Sequence, residues 1–81
     1  MLKHTKIYYK HFNLSFSDIP MCEKCSSVAV DIHHIYWRRI TDADSISNLI
    51  ALCRDCHQKA HFLKVPYLSK EELIIIHNAK I

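Results

Sequence analysis

Apolar residues near the N-terminus recur at helical spacing, with lysines between them. The apolar positions are Leu2, Ile7, Tyr8 and Phe12. This pattern predicts an amphipathic helix over about residues 2–12. We favour a helix that covers a small core. The alternative is a basic arm whose lysines lie on DNA. Two histidines of the segment, His4 and His11, are expected to face solvent and to carry no function.

The middle of the chain predicts a β-hairpin followed by a helix. Residues 28–35 are rich in β-branched side chains with partial alternation, which favours a strand. Residues 41–47 are polar and predict a loop, and residues 49–52 are apolar and suit a second, antiparallel strand. A helix is expected from about Asp55, and it must end before Pro66 because proline disfavours a helical residue ahead of it.

The last apolar run predicts a C-terminal helix over about residues 70–79. Ser69 and Glu72 have the spacing of a capping box in front of the aliphatic residues 73–76. With 81 residues, of which 49% are hydrophobic, the chain has room for one folded domain, residues 1–81. We expect a core over about 20–64 and a flanking helix on each side.

The net charge of +3 is mildly basic, which permits a nucleic-acid partner without requiring one. The N-terminus lacks a signal-type apolar segment, and no run approaches the roughly 18 apolar residues of a membrane span. We therefore expect no membrane contact and a reducing, cytoplasmic location.

The cysteines occur in two C-x-x-C pairs, Cys22 with Cys25 and Cys53 with Cys56. Without a secretory pattern, metal binding is favoured over disulfide formation. Four thiolates complete a tetrahedral zinc site with no open position, which is the structural type. The alternative, four unligated thiols, would leave a very small domain without the stabilisation that zinc provides.

Four histidines lie in the same stretch, namely His33, His34, His57 and His61. His57 and His61 are four residues apart and share one helix face. Adjacent strand residues point to opposite faces, so one residue of the His33-His34 pair can join them and the other has a different role. Three imidazoles with an open coordination position are typical of a catalytic metal site. An unligated histidine beside them is a candidate general base.

These residues together resemble the HNH endonucleases, which have the ββα-metal (His-Me finger) fold. The resemblance covers about residues 20–62 and rests on Asp31-Ile32-His33-His34-Ile35, Asn48-Leu49-Ile50-Ala51-Leu52-Cys53, Cys56-His57 and His61. The chain is most similar to small, free-standing HNH proteins of bacteria and phages that carry a four-cysteine zinc knuckle. The implied fold is a small, zinc-stabilised α+β domain with flanking helices.

The resemblance implies a role for each matching residue. The catalytic divalent metal would be held by His33, His57 and His61. His34 would take a proton from the attacking water, Asn48 would fix the loop that orients His34, and Asp31 would support the hairpin or a basic partner. Some family members have aspartate where His33 stands, and their sites suit magnesium. The histidine leaves the metal open among Mg²⁺, Mn²⁺, Ni²⁺, Co²⁺ and Zn²⁺.

The implied activity is metal-dependent hydrolysis of DNA phosphodiester bonds by a single-metal mechanism, giving 5′-phosphate and 3′-hydroxyl products. Arg38, Arg39, Arg54 and Lys59 are candidate phosphate contacts, with solvated charge as the alternative. Trp37 is expected to pack on the hairpin.

DNA is the expected partner, and a double-strand cut would require a second copy, hence a homodimer. The resemblance also suggests a phage packaging partner. A different interpretation is a non-catalytic zinc-knuckle module that binds nucleic acid or protein, and a third is a second structural zinc held by four histidines. The His33-His34 pair together with Asn48 favours the nuclease, because a zinc knuckle requires neither.

Overall fold

The computed structural model describes residues 2–15, 17–36 and 43–81. Within these residues the chain forms three α-helices and one two-stranded antiparallel sheet, which confirms the α+β class. In chain order the elements are α1 (Lys3–His11), β1 (Asp31–His34), a 3₁₀ turn (Ile46–Asn48), β2 (Leu49–Leu52), α2 (Arg54–Ala60) and α3 (Lys70–Asn78).

The two strands pair so that each face of the sheet has its own core. In the antiparallel register His33 lies opposite Ile50, and His34 lies opposite Leu49. All four residues of β2 are fully buried. Ile50 and Leu52 pack with α2 and α3 on one face, whereas Leu49 and Ala51 pack against Tyr8 of α1 on the other. Because partners across a sheet share a face, His33 faces α2 and His34 faces α1.

β1 begins later than the sequence predicts, at Asp31 instead of residue 28. The preceding residues pair with the first C-x-x-C turn: Met21 and Val28 form an isolated antiparallel bridge, and the Ala29 N–H donates to the Pro20 carbonyl at 3.0 Å. Val28 and Ala29 therefore pair with the residues just before the first knuckle, and pairing with β2 starts only at Asp31.

The helix starts follow from their capping residues. Ser69 Oγ accepts from the Glu72 N–H at 3.2 Å, so the predicted capping box begins α3. Cys53 caps α2 in the same way, its sulfur accepting from the Cys56 N–H at 3.4 Å. α2 ends at Ala60, well before Pro66, as expected.

A buried ionic pair ties the first knuckle to α3. His77 Nδ1 lies 2.8 Å from Glu23 Oε1, and its other nitrogen lies 2.6 Å from the Ile46 carbonyl oxygen. Glu23 also accepts from the Tyr8 hydroxyl at 2.6 Å and from the Ala51 N–H at 3.2 Å. Both partners of His77 are acceptors, so the imidazole donates from both nitrogens and is charged. The pair thereby connects α1, β2, α3 and the 3₁₀ turn.

The prediction that both histidines of α1 face solvent is half wrong. His11 is exposed, but His4 is buried, with 6% of its surface accessible. The His4 ring contacts the His34 ring at a tilt of 52°, with centroids 4.5 Å apart, because β1 turns His34 toward α1. The sequence could not indicate this contact, since it depends on where α1 docks.

Candidate functional site

The four cysteine sulfurs form one compact cluster, all within 4.8 Å of one another. Cys25 Sγ lies 3.5 Å from Cys53 Sγ and 3.8 Å from Cys56 Sγ. Sulfurs bound to a tetrahedral zinc at about 2.3 Å would lie about 3.8 Å apart, so these distances fit that ion. The cluster thus has the composition and size of a closed zinc site.

The local backbone of each knuckle explains how its sulfurs converge. Ser26 has a φ of 66°, the left-handed conformation that lets the first knuckle turn back without glycine. Hydrogen bonds from Ser27 lower the pKa of the Cys25 thiol to about 6, whereas burial raises the pKa of Cys53 and of Cys56. Buried thiolates require a compensating cation, which a bound metal provides.

A second cluster consists of His33 from β1, His57 from α2 and His61 from the C-cap of α2, with one ring nitrogen of each within 4.8 Å of the others. The Nε2 atoms of His57 and His61 are 3.0 Å apart, and the His33 ring centroid is 5.1 Å and 5.0 Å from theirs. Nitrogens on a tetrahedral metal at about 2.0–2.1 Å would lie about 3.3 Å apart. The trio therefore fits a divalent transition metal, and within the described residues it offers three ligands.

Burial favours the neutral, metal-binding form of two of the three imidazoles. Burial, together with the neighbouring histidines, lowers the pKa of His33 to about 4. Burial also lowers the pKa of His57, against the opposing effect of Asp31. The Asp31 carboxylate lies 3.5 Å from His57 Nε2. His61 is exposed, which leaves this cluster open to solvent.

His34 lies on the opposite face of β1 from His33, as strand alternation requires. Its Nε2 is 2.8 Å from Asp44 Oδ1, and its side chain is 10% exposed. The hydrogen bond from His34 lowers the pKa of Asp44, so this carboxylate is ionised at neutral pH. The trio and His34 nevertheless line one cleft of about 800 Å³, because the end of β1 forms its wall.

Asn48 holds the loop that carries Asp44. Its amide oxygen accepts from the Tyr36 N–H at 2.8 Å, and its amide nitrogen donates to the Ala43 carbonyl at 2.8 Å. Asn48 is 5% exposed, so these bonds replace lost water contacts. Asn48 thus fixes Ala43, the residue directly before Asp44, and Asp44 contacts His34.

The candidate phosphate contacts differ in what the structure shows of them. Arg54 is exposed at the start of α2. Lys59 forms an ion pair with Asp55, its Nζ 2.9 Å from Oδ2, so it is not an unengaged cation. Arg38 and Arg39 lie outside the described residues, as does Trp37, whose packing was predicted.

Sequence reasoning gave no role to Asp44, Glu23 or His4. Asp44 sits in a polar loop ten residues from its partner, and no spacing rule links it to His34. Glu23 lies inside a C-x-x-C turn, where a charged residue is normally solvated. Only the proximity of Glu23 to His77, 54 residues along the chain, reveals the buried pair.

In the part of the chain that the structure describes, no helix is long and apolar enough to cross a membrane. A search of curated proteins and a search of solved structures each returned no match to the chain. The family model for HNH endonuclease matches residues 21–63. This segment contains both C-x-x-C pairs, both strands and the three clustered histidines. Since it spans more than half of the chain, the protein belongs to the HNH endonuclease family, whose general activity is that of a nuclease.

Proposed function

We propose that this protein is a metal-dependent DNA endonuclease that hydrolyses phosphodiester bonds. One observation carries the proposal: His33, His57 and His61 bring three nitrogen donors within 4.8 Å, beside the same cleft that His34 lines. An open three-histidine set is typical of a catalytic rather than a structural metal. The closed cysteine cluster already accounts for structural zinc.

His34 is the general base in this proposal. An ionised carboxylate can only accept a hydrogen bond, so Asp44 fixes the His34 proton on Nε2. Nδ1 then carries a lone pair that can accept a proton from water. An imidazole has a pKa close to neutrality, which suits proton transfer at physiological pH. Asp44 and Asn48 are positioning residues that act through His34.

The charge that develops on the phosphate also requires stabilisation. His33, His57 and His61 would hold a divalent metal, which would supply electrostatic stabilisation of this charge. The expected products carry a 5′-phosphate and a 3′-hydroxyl.

DNA contacts outside the scissile phosphate are proposed for three arginines. Arg54 is exposed on α2, the helix that carries His57. Arg38 and Arg39 come four and five residues after His34 in the sequence. These cations would hold flanking phosphates, which positions the duplex without reading its sequence.

Supercoiled plasmid incubated with zinc-loaded protein tests the proposal. Wild type should nick the plasmid when a second divalent metal is added, and His34→Ala should slow nicking by about 10²–10⁴-fold. His11→Ala, an exposed histidine of α1, is the matched control and should cleave like wild type. Circular dichroism and zinc content check that each variant is folded.

Two results would contradict the proposal. Absence of cleavage with any metal by a folded, zinc-bound protein would favour the non-catalytic binding module. Equal cleavage by wild type and His34→Ala would remove His34 as the base. Resealing of the nicks by DNA ligase would establish the 5′-phosphate and 3′-hydroxyl ends. Linear plasmid formed without a nicked intermediate would indicate that two copies act together.

A further inference from the structure

A third donor cluster lies on the face of β1 opposite the three-histidine site. It contains His4 from α1, His34 from β1 and Asp44 from the loop before the 3₁₀ turn, with one donor atom of each within 4.8 Å of the others. Three separate chain segments thus place two imidazoles and one carboxylate together. His4 precedes residues 21–63, so family membership gives it no role.

The composition of this cluster selects a class of metal. Two imidazole nitrogens and a carboxylate oxygen form one of the ligand sets of zinc enzymes. Mg²⁺ and Ca²⁺ prefer oxygen ligands and retain their waters, so they would bind here poorly. Zinc and similar transition-metal ions bind imidazole well.

The geometry requires only a small adjustment to accept such an ion. Ligands of a tetrahedral zinc at about 2.0–2.2 Å lie about 3.3–3.6 Å apart. His34 Nε2 and Asp44 Oδ1 are now at hydrogen-bond distance, 2.8 Å, and would separate slightly. The His4 and His34 ring centroids are 4.5 Å apart, with the ring planes tilted by 52°. One donor atom of each of the three residues is already within 4.8 Å of the others, so binding would require only small side-chain movements.

We infer that His4, His34 and Asp44 form a third metal site, which binds a divalent transition metal of the zinc class. Occupation of this site inhibits the enzyme. The inhibitory part rests on the proposed function of His34, whereas the binding site itself does not. The structure thereby assigns His4 to regulation by excess metal and not to hydrolysis.

Metal binding would remove the base whichever nitrogen of His34 is used. If the metal takes Nδ1, the lone pair that accepts the proton from water is occupied. If it takes Nε2, the proton of the neutral ring must reside on Nδ1, and the lone pair is again lost. The carboxylate that fixed the tautomer is withdrawn in the same event, since Asp44 becomes a ligand. Zinc bound at this site would therefore switch the enzyme off while its structural zinc stays bound.

Zinc stoichiometry tests the site directly. Equilibrium dialysis against micromolar Zn²⁺, followed by elemental analysis, should give one zinc per cluster, hence three per chain for wild type. His4→Ala should bind one equivalent fewer. His11→Ala, on the same helix but exposed, should bind as many as wild type.

Because His4 is buried, its replacement by alanine could unfold α1, so two further variants keep the test decisive. His4→Gln retains most of the size and a hydrogen-bonding amide but removes the imidazole ligand. Asp44→Asn removes the carboxylate from the loop side. Each should lose the third zinc while circular dichroism stays unchanged. A folded His4→Gln that binds as much zinc as wild type would overturn the site, as would two equivalents in wild type.

Cleavage measured during a zinc titration tests the consequence. Wild-type activity, supported by a second divalent metal, should fall by 10²-fold or more as the third zinc binds, since loss of a general base costs about 10²–10⁴. His4→Gln, normalised to its own uninhibited rate, should not show this fall. An equal fall in both proteins would overturn the inhibitory role. Failure of the nuclease proposal would abolish cleavage at every zinc concentration without altering the stoichiometry, so the two failures are distinguishable.

Discussion

The cysteine cluster and the three-histidine cluster both draw ligands from α2, yet they differ in number and exposure. The first takes Cys56 from inside the helix and Cys53 from its N-cap, and it has four donors, three of them buried. The second takes His57 from the same helix and His61 from its C-cap, and it has three donors among the described residues, of which His61 is exposed. Cys56 and His57 are adjacent, so a helical rotation of about 100° per residue separates the two clusters.

The difference suggests separate roles for the two clusters: the four-cysteine cluster would stabilise the fold, and the three-histidine cluster would support chemistry. A metal with four protein ligands has no position for substrate, so its binding free energy goes into folding. A metal with three protein ligands leaves a position facing the cleft. The closed cluster would hold α2 against the sheet, and α2 would thereby present its histidines to His33.

Loss of a cysteine ligand should produce the largest effect. Cys53→Ser removes a zinc ligand, and since structural zinc supplies roughly 10 kcal/mol or more at neutral pH, the domain should be unfolded. Circular dichroism and the zinc content of the purified variant measure this. A folded, active Cys53→Ser would contradict the assignment of the cluster as structural.

Loss of an open-site ligand should abolish activity but not folding. His61→Ala deletes an exposed ligand, and because a catalytic metal contributes several kcal/mol to transition-state stabilisation, cleavage should fall by about 10³-fold or more. Thermal unfolding should remain close to that of wild type. If His61→Ala also unfolded the domain, the contrast between the two clusters would fail.

The buried His77–Glu23 pair should rank next, since it joins the first knuckle to α3. His77→Ala leaves Glu23 buried without its cation, which should cost about 3 kcal/mol in the free energy of unfolding. Chemical denaturation of the zinc-loaded proteins at pH 6 measures the loss. A change below about 0.5 kcal/mol in the free energy of unfolding would show that the ion pair contributes little to stability.

The pH dependence of this effect has a defined sign. Burial alone lowers the pKa of His77, but the hydrogen bonds to Glu23 and to the Ile46 carbonyl outweigh it and raise the pKa. A raised pKa in the folded state stabilises the protein below the unfolded value of about 6.5, and this contribution is lost as pH rises through the folded pKa. The difference between wild type and His77→Ala should therefore shrink between pH 6 and pH 9.

The smallest effect is expected at Asp44. Asp44→Ala removes the hydrogen bond to His34, but the carboxylate is partly exposed and water can replace it, so kcat should fall by about 10-fold. KM for DNA and the zinc content of the cysteine cluster should not change. A rise in KM without a fall in kcat would instead make Asp44 a DNA contact.

The sequence by itself predicted the main elements, the four-cysteine set and the pairing of His57 with His61, whereas the choice of His33 as the third histidine came from the family resemblance. Two C-x-x-C spacings predict a tetrathiolate, the His57-to-His61 interval predicts a shared helix face, and the Ser69-to-Glu72 interval predicts the start of α3. These are local signals, because the residues involved are at most four positions apart. Strand alternation also predicted that His33 and His34 separate, and the structure places them on opposite faces of β1.

The tertiary structure alone decided which distant residues meet. Only the docking of α1 on the β2 face brings His4 to His34, and only the fold of the loop brings Asp44 to the same ring. The burial of Glu23 with His77 likewise depends on α3 packing beside the first knuckle. Such contacts join residues 10 to 54 positions apart, where sequence periodicity carries no information. They are set by the packing of whole elements around β2, whose four residues are fully buried.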